Sequence, residues 1–182
     1  MNKLTQNFGK RMLRKRAKAL IRDKSVQNFE TANSAVIVFD VQMSESFNAI
    51  KEFGKYLESK KIKTSVIGFS SEKEPPEKLL LWPNVDIITK KDINWHGKPK
   101  NDAAIEFFNK VPDILFVLCT ETLLPIEYLV QLSKAKFKVG FFTEEENDYD
   151  LMINPVDNKE DAGYFIEQIK IYINMLNPSN QK

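Results

Sequence analysis

The sequence predicts a Rossmann-like, three-layer α/β domain with a mainly parallel sheet of about six strands, preceded by a strongly basic helix. Two observations carry that expectation. Short apolar runs such as Ala35–Phe39 and Asp113–Cys119 alternate with segments whose apolar residues recur at helical spacing. Runs without polar alternation suit strands covered on both faces, and helices between successive strands suit parallel crossovers. A length of 182 residues suits one such domain.

The elements follow in order. Residues 4–22 contain no proline and are expected to be helical within a basic segment spanning 1–24. Leu4, Phe8 and Met12 form one stripe there, and Leu13, Ala17, Leu20 and Ile21 a second. Residues 25–33 read as a polar connector, and 34–176 as the α/β domain, with 177–182 a fraying tail. The first strand ends in Asp40, and Ser44 is the expected N-cap of a helix burying Phe47, Ile50, Phe53, Gly54 and Leu57. Ile62–Phe69 reads as the second strand. Pro75-Pro76 and Trp82-Pro83 then interrupt the chain before a third, Val85–Thr89. Asn101 is the expected cap of a short helix with Ala104, Ile105 and Phe108, ending before Pro112. Asp113–Cys119 follows as the most apolar strand. Pro125 then suits the first turn of a helix turning Ile126, Leu129, Val130 and Ser133 inward. Phe137–Phe142 and Asp150–Ile153 are two more strands. A last helix carries Phe165, Ile166, Ile169, Tyr172, Ile173 and Leu176, with Pro178 beyond it. Val36, Val38, Leu115 and Val117 are expected in the core.

Composition excludes several function classes. Cys119 is the one cysteine and His96 the one histidine. No intrachain disulfide and no zinc site of several His and Cys ligands can form. No apolar run reaches the ~20 residues of a membrane span, and no secretory leader is visible, so a reducing cytoplasm is expected. Neither a metal nor a cofactor is expected.

Charge is unevenly distributed. Residues 1–24 carry nine basic side chains and one acidic, a net +8, whereas the remaining 18 basic and 24 acidic side chains leave −6. Lys10, Arg11, Arg14, Lys15, Lys18 and Arg22 are the candidate contacts to an anionic partner.

In open α/β sheets ligands sit beyond the carboxyl ends of the strands. Asp40 and Ser44 after the first strand, with Thr120 and Glu121 after the fourth, are the candidate ligand residues there. Asp40 and Glu121 would pair if those two strands are neighbours. The turn Phe39–Ser46 lacks the glycines of a phosphate cradle, so nucleotide binding in that mode is not expected. Cys119 reads as a buried structural thiol. The loop Asn94–Lys100 offers Trp95, His96 and Lys98 for recognition, or a turn whose Trp95 packs on the body. The run Glu144–Asp148 reads as a solvated loop.

Several segments resemble an uncharacterised family of short bacterial proteins, a domain of unknown function. They are the basic N-terminal segment, Phe39-Asp40, Asn94-Trp-His-Gly-Lys-Pro99, Ser133-Lys-Ala-Lys-Phe-Lys-Val-Gly140 and Tyr149-Asp-Leu-Met-Ile153. Ala135-Lys-Phe-Lys-Val-Gly140 is also similar to the N-terminal half of heptosyltransferase-like glycosyltransferases. That likeness implies the same fold, but those enzymes need a second Rossmann domain for the sugar nucleotide.

Two functional readings result. The first is a non-enzymatic adaptor whose basic helix engages RNA, the ribosome or an anionic membrane surface. The second is a small-ligand-binding or degenerate transferase-like domain using the sheet's carboxyl edge. A deep pocket at that edge separates them.

Overall fold

The computed structural model describes residues 3–42, 47–75, 77–80, 82, 84–121, 123–145, 147–154 and 161–177. The predicted cap Ser44, the residues Pro76, Pro83, Glu146 and Pro178, and the tail from 178 lie outside them. Strands β1 (Ser34–Asp40), β2 (Lys63–Phe69), β3 (Val85–Ile88), β4 (Ile114–Leu118), β5 (Phe137–Phe141) and β6 (Leu151–Ile153) form one sheet. Its order is β3-β2-β1-β4-β5-β6, and every pairing is parallel. Helices α1 (Lys3–Ala19), α2 (Phe47–Ser59), α3 (Glu77–Leu80), α4 (Asp102–Asn109), α5 (Leu124–Leu132) and α6 (Ala162–Met175) accompany it.

The central strands explain the layering. Successive strand side chains point to opposite faces, so Ile37 and Phe39 of β1 enter one core and Val36 and Val38 the other. The first core is closed by Ile50, Phe53 and Leu57 of α2 and by Phe165, Ile166 and Ile169 of α6. The second is closed by Ala104 and Phe107 of α4 and by Ile126 and Leu129 of α5. All four valine and leucine positions predicted for the core are buried.

Local signals set the helix ends. The Asn101 side chain accepts the Ala104 N–H at 3.1 Å, capping α4. Pro125 stands in the first turn of α5. Two predicted faces are rotated. In α4 the buried pair is Ala104 and Phe107, while Ile105 is exposed. In α6 Tyr172 is exposed, leaving Phe165, Ile166, Ile169 and Ile173 as the stripe. Both helices carry apolar residues beyond one face, so spacing alone leaves their rotation open.

The basic helix is built into the body. Residues 25–33 are no free linker: Phe29 and Ala32 are core residues. The Asn28 side chain accepts from the N–H groups of Glu30 and Thr31 and donates to the Leu176 carbonyl. Helix α1 presents Gly9, Leu13 and Ala17, spaced four apart, to α5. Leu13 is buried with Leu124 and Tyr128 in a third, small cluster, a burial worth about 2 kcal/mol. The predicted stripe of Leu4, Phe8 and Met12 is not the docking face, because Leu4 is 79% exposed.

Gly9 permits the close approach. A Cβ there would overlap the His96 carbonyl oxygen and lie 2.8 Å from Leu124 Cδ2. Gly9→Ala therefore separates docked from free behaviour. In a free helix alanine is favoured by about 1 kcal/mol; in a docked one overpacking costs about 1–3 kcal/mol. The expected result is a melting temperature lowered by several degrees. A raised one would contradict the packing.

Candidate functional site

Strand order places β1 beside β4, with Phe39 opposite Leu118. The connections reverse direction there, which is where α/β sheets open a crevice. Asp40 is buried at this point, and its Oδ1 accepts the Gln42 N–H at 2.9 Å. Burial pushes its carboxyl up, the Gln42 hydrogen bond opposes this, and the Glu121 charge adds to the rise. The two carboxylates predicted to meet are thus electrostatic neighbours.

The open space lies one strand further along. A cavity of about 750 Å³ stands between α1 and the carboxyl ends of β4 and β5, with α5 as its floor. That volume is typical of small-molecule sites. Of the sequence candidates, Thr120 and Glu121 line it and Asp40 does not. Lys10, Arg14, Lys18 and Arg22 line its helix side. Thr143, which follows the fifth strand as the carboxyl-edge rule expects, lines it as well, together with Glu127, Asn147 and Tyr149, which were not legible as site residues.

The charges around the cavity are partly neutralised. Lys10 Nζ stands 3.6 Å from Glu127 Oε1, an ion pair too long for a hydrogen bond, and that oxygen is buried without a hydrogen-bond partner. Burial pushes the Glu127 carboxyl up, against the pull of Lys10. Arg22, read from the sequence as a partner contact, is used internally. Its side chain is 4% exposed, and Nη1 and Nη2 grip Asp150 at 2.5 and 2.8 Å. Arg14 and Lys18 form no ion pair among the described residues. Both border the cavity, and the Arg14 charge helps to hold down the Glu127 carboxyl there.

Cys119 also borders the cavity. Burial pushes its thiol well up, and the Asp40 charge adds to this. A thiol held protonated is a poor nucleophile. Burial likewise pushes the Tyr149 phenol up. Its ring lies against Gly140, where a Cβ would clash with it.

The loop candidates divide. His96 is buried, so it does not present itself to a partner. The buried Tyr128 hydroxyl donates to the Gly9 carbonyl at 2.9 Å. It therefore accepts from His96 Nδ1–H at 3.1 Å, and His96 Nε2 accepts from Asn94 Nδ2 at 2.9 Å. This network assigns a neutral imidazole. Burial, with Arg16 and Lys98 nearby, holds its pKa down. Trp95 remains exposed, and Lys98 is half-buried.

A family model matches residues 5–176 and describes a family of unknown function, DUF6913. The chain belongs to this family. The match takes in α1 together with every strand, so the docked helix is part of what the family model describes. No curated protein matches the chain. Among the described residues no helix is long and apolar enough to cross a membrane.

One buried group behind the cavity went unforeseen. Lys138 lies in the apolar strand β5 with its side chain fully buried. Its Nζ donates to the Val130 carbonyl at 2.7 Å and pairs with Asp148. Burial lowers its pKa to about 8, while Asp148 holds it up. The unfolded chain keeps that proton until about 10.4. Between pH 8 and that value the unfolded state binds more protons, so this group makes stability rise with pH. Lys138→Met is expected to stay within about 1 kcal/mol of the parent at pH 7, because Asp148 keeps Arg22 at 3.7 Å and Lys24 at 3.8 Å. It should also lose the alkaline rise. Asp148→Ala strands the buried ammonium and should cost about 3–5 kcal/mol at pH 7. Urea unfolding at pH 7 and pH 9.5 reads both, and equal losses for the two variants would refute the assignment.

Proposed function

We propose that this chain is a small-ligand-binding α/β domain whose cavity takes an anionic, hydroxyl-bearing molecule such as a phosphorylated sugar. The observation that carries the reading is the division of the cavity wall. Arg14 and Lys18 stand on the α1 side without ion-pair partners among the described residues, and Thr120, Glu121, Thr143 and Asn147 stand across from them. Guanidinium and ammonium groups suit a phosphate or carboxylate. Threonine hydroxyls, an amide and a carboxylate suit sugar hydroxyls. The absence of glycines after β1 bears less on this site than on a nucleotide at the first turn, because the cavity lies over β4 and β5. The proposal needs no catalytic step.

The docked helix also changes what its charges suggest. Lys10, Arg14, Lys18 and Arg22 all border the cavity, so part of the cationic excess has a local role.

Thermal shift with a panel of sugar phosphates, hydroxy acids and inorganic phosphate tests this. A ligand at 100 times its Kd adds about 2.7 kcal/mol, or about 5–10 °C for a domain of this size. Replacing Arg14 and Lys18 by Gln is expected to abolish the shift while leaving the unliganded melting temperature within about 2 °C. A shift that survives the double substitution, or a panel without any shift, would overturn the reading.

A further inference from the structure

The flank of α1 turned away from the cavity carries a second feature. Phe8 stacks on Trp95 with ring centroids 4.9 Å apart and an interplanar angle of 29°. Trp95 is nevertheless 64% exposed, and Phe8 44%. Phe8 stacks on the indole and the His96 ring meets it edge-on with centroids 5.2 Å apart, and the 64% exposure that remains leaves much of the indole open to solvent. A large flat aromatic surface held in water has an unfavourable hydration cost unless something covers it.

The indole is held in place by its loop. The Asn94 side-chain oxygen accepts the N–H groups of His96 at 3.2 Å and Lys98 at 2.9 Å. Gly97 takes φ 91, a left-handed conformation that suits glycine, and donates its N–H to the Asn94 carbonyl. His96 beside Trp95 is locked to Tyr128. The platform is therefore pre-organised, which reduces the ordering cost of binding.

Cations surround it. Arg11 and Lys15 lie one and two helical turns beyond Phe8 on the exposed side of α1, Lys98 lies in the loop itself with its ammonium 5.2 Å from the Phe108 ring centroid, and the Arg16 charge acts on both His96 and Lys98. None of the four forms an ion pair among the described residues. Arg16 also depresses Lys98, after burial, as expected of positive charges left unneutralised. Helix α1 itself has no acidic residue to offset them.

From this juxtaposition we propose that the Trp95–Phe8 stack and its surrounding cations, Arg11, Lys15, Arg16 and Lys98, form a binding surface for single-stranded nucleic acid. An unpaired base offers its π-face to the open side of the indole, and the phosphates on either side meet the cations. A duplex keeps its bases stacked and cannot use the platform. A membrane fits less well. An amphipathic helix lies on lipid through its apolar face, whereas α1 commits Leu13 to α5 and, of its exposed stripe, Phe8 to the stack with Trp95.

The test is fluorescence anisotropy of the full chain with a labelled twelve-nucleotide single strand, the matching duplex, and vesicles containing phosphatidylserine. The single strand should bind more tightly than the duplex. Its log affinity should fall with log salt at a slope near −3 if about four phosphates are neutralised. Trp95→Ala should weaken single-strand binding about tenfold. The paired replacement of Arg11 and Lys15 by Gln should weaken it and flatten the slope. Because those two side chains are exposed and lie off the docking face, that variant reads the surface even if loss of Trp95 loosens α1. Equal affinity for the duplex, vesicle binding in place of nucleic-acid binding, or unchanged affinity in the Arg11/Lys15 variant would each overturn the proposal.

Discussion

The buried hydroxyl of Tyr128 joins three segments remote in sequence. It donates to the Gly9 carbonyl in α1 and receives the His96 proton from the loop before α4, while its ring packs with Leu13 and Leu124. A phenol in such a setting must satisfy its polar tip, and leaving it unpaired would cost about 1–3 kcal/mol. The hydrogen bonds thus fix where α1 lies on α5. That position creates the cavity wall on one side and the aromatic stack on the other. Both surfaces exist because a helix with seven basic and no acidic residues is held against a body of opposite net sign.

Polar groups elsewhere serve the same anchoring. Arg22, just beyond α1, grips Asp150 and also donates to the Ala135 carbonyl at 3.0 Å. Asp113 accepts from the Ser34 and Asn33 N–H groups and pairs with Lys136 at 2.8 Å, tying the starts of β1 and β4 to the approach to β5. Burial acts to raise this carboxyl, but its hydrogen bonds and Lys136 win and hold it below the ordinary range. The Asp113 contacts work at strand starts, away from the carboxyl edge, whereas Arg22 also borders the cavity.

Much of the scaffold was legible because its signals are local. Val36 to Phe39 and Leu115 to Leu118 are buried on both sides, so their continuous apolar character survives in the sequence. Asn101 and Pro125 act within one helical turn. The cavity was legible only in part. Thr120 and Glu121 follow from the rule that sites lie beyond strand ends, but Glu127 and Tyr149 reach it through strand order and the placement of α1, which are non-local. Gly9 reads in isolation as a weak point of a helix, when its value is the space it leaves for the His96 carbonyl. Lys138 reads as a solvent-facing charge, and its burial rests on the Val130 carbonyl and the Asp148 side chain, eight and ten residues away. Its one local signal was a lysine flanked by Phe137 and Val139 inside a strand.

The bond between Tyr128 and Gly9 spans 119 residues, and this separation has a consequence during synthesis. At about 5–20 residues per second, α1 leaves the ribosome on the order of 6–25 seconds before the segment that covers it. Over that interval a cationic helix with an apolar stripe waits beside the polyanionic particle that is making it. Long-range closures of this kind are slow to form. Helix α1 is translated ahead of the other described elements and cannot meet Tyr128 until α5 has emerged.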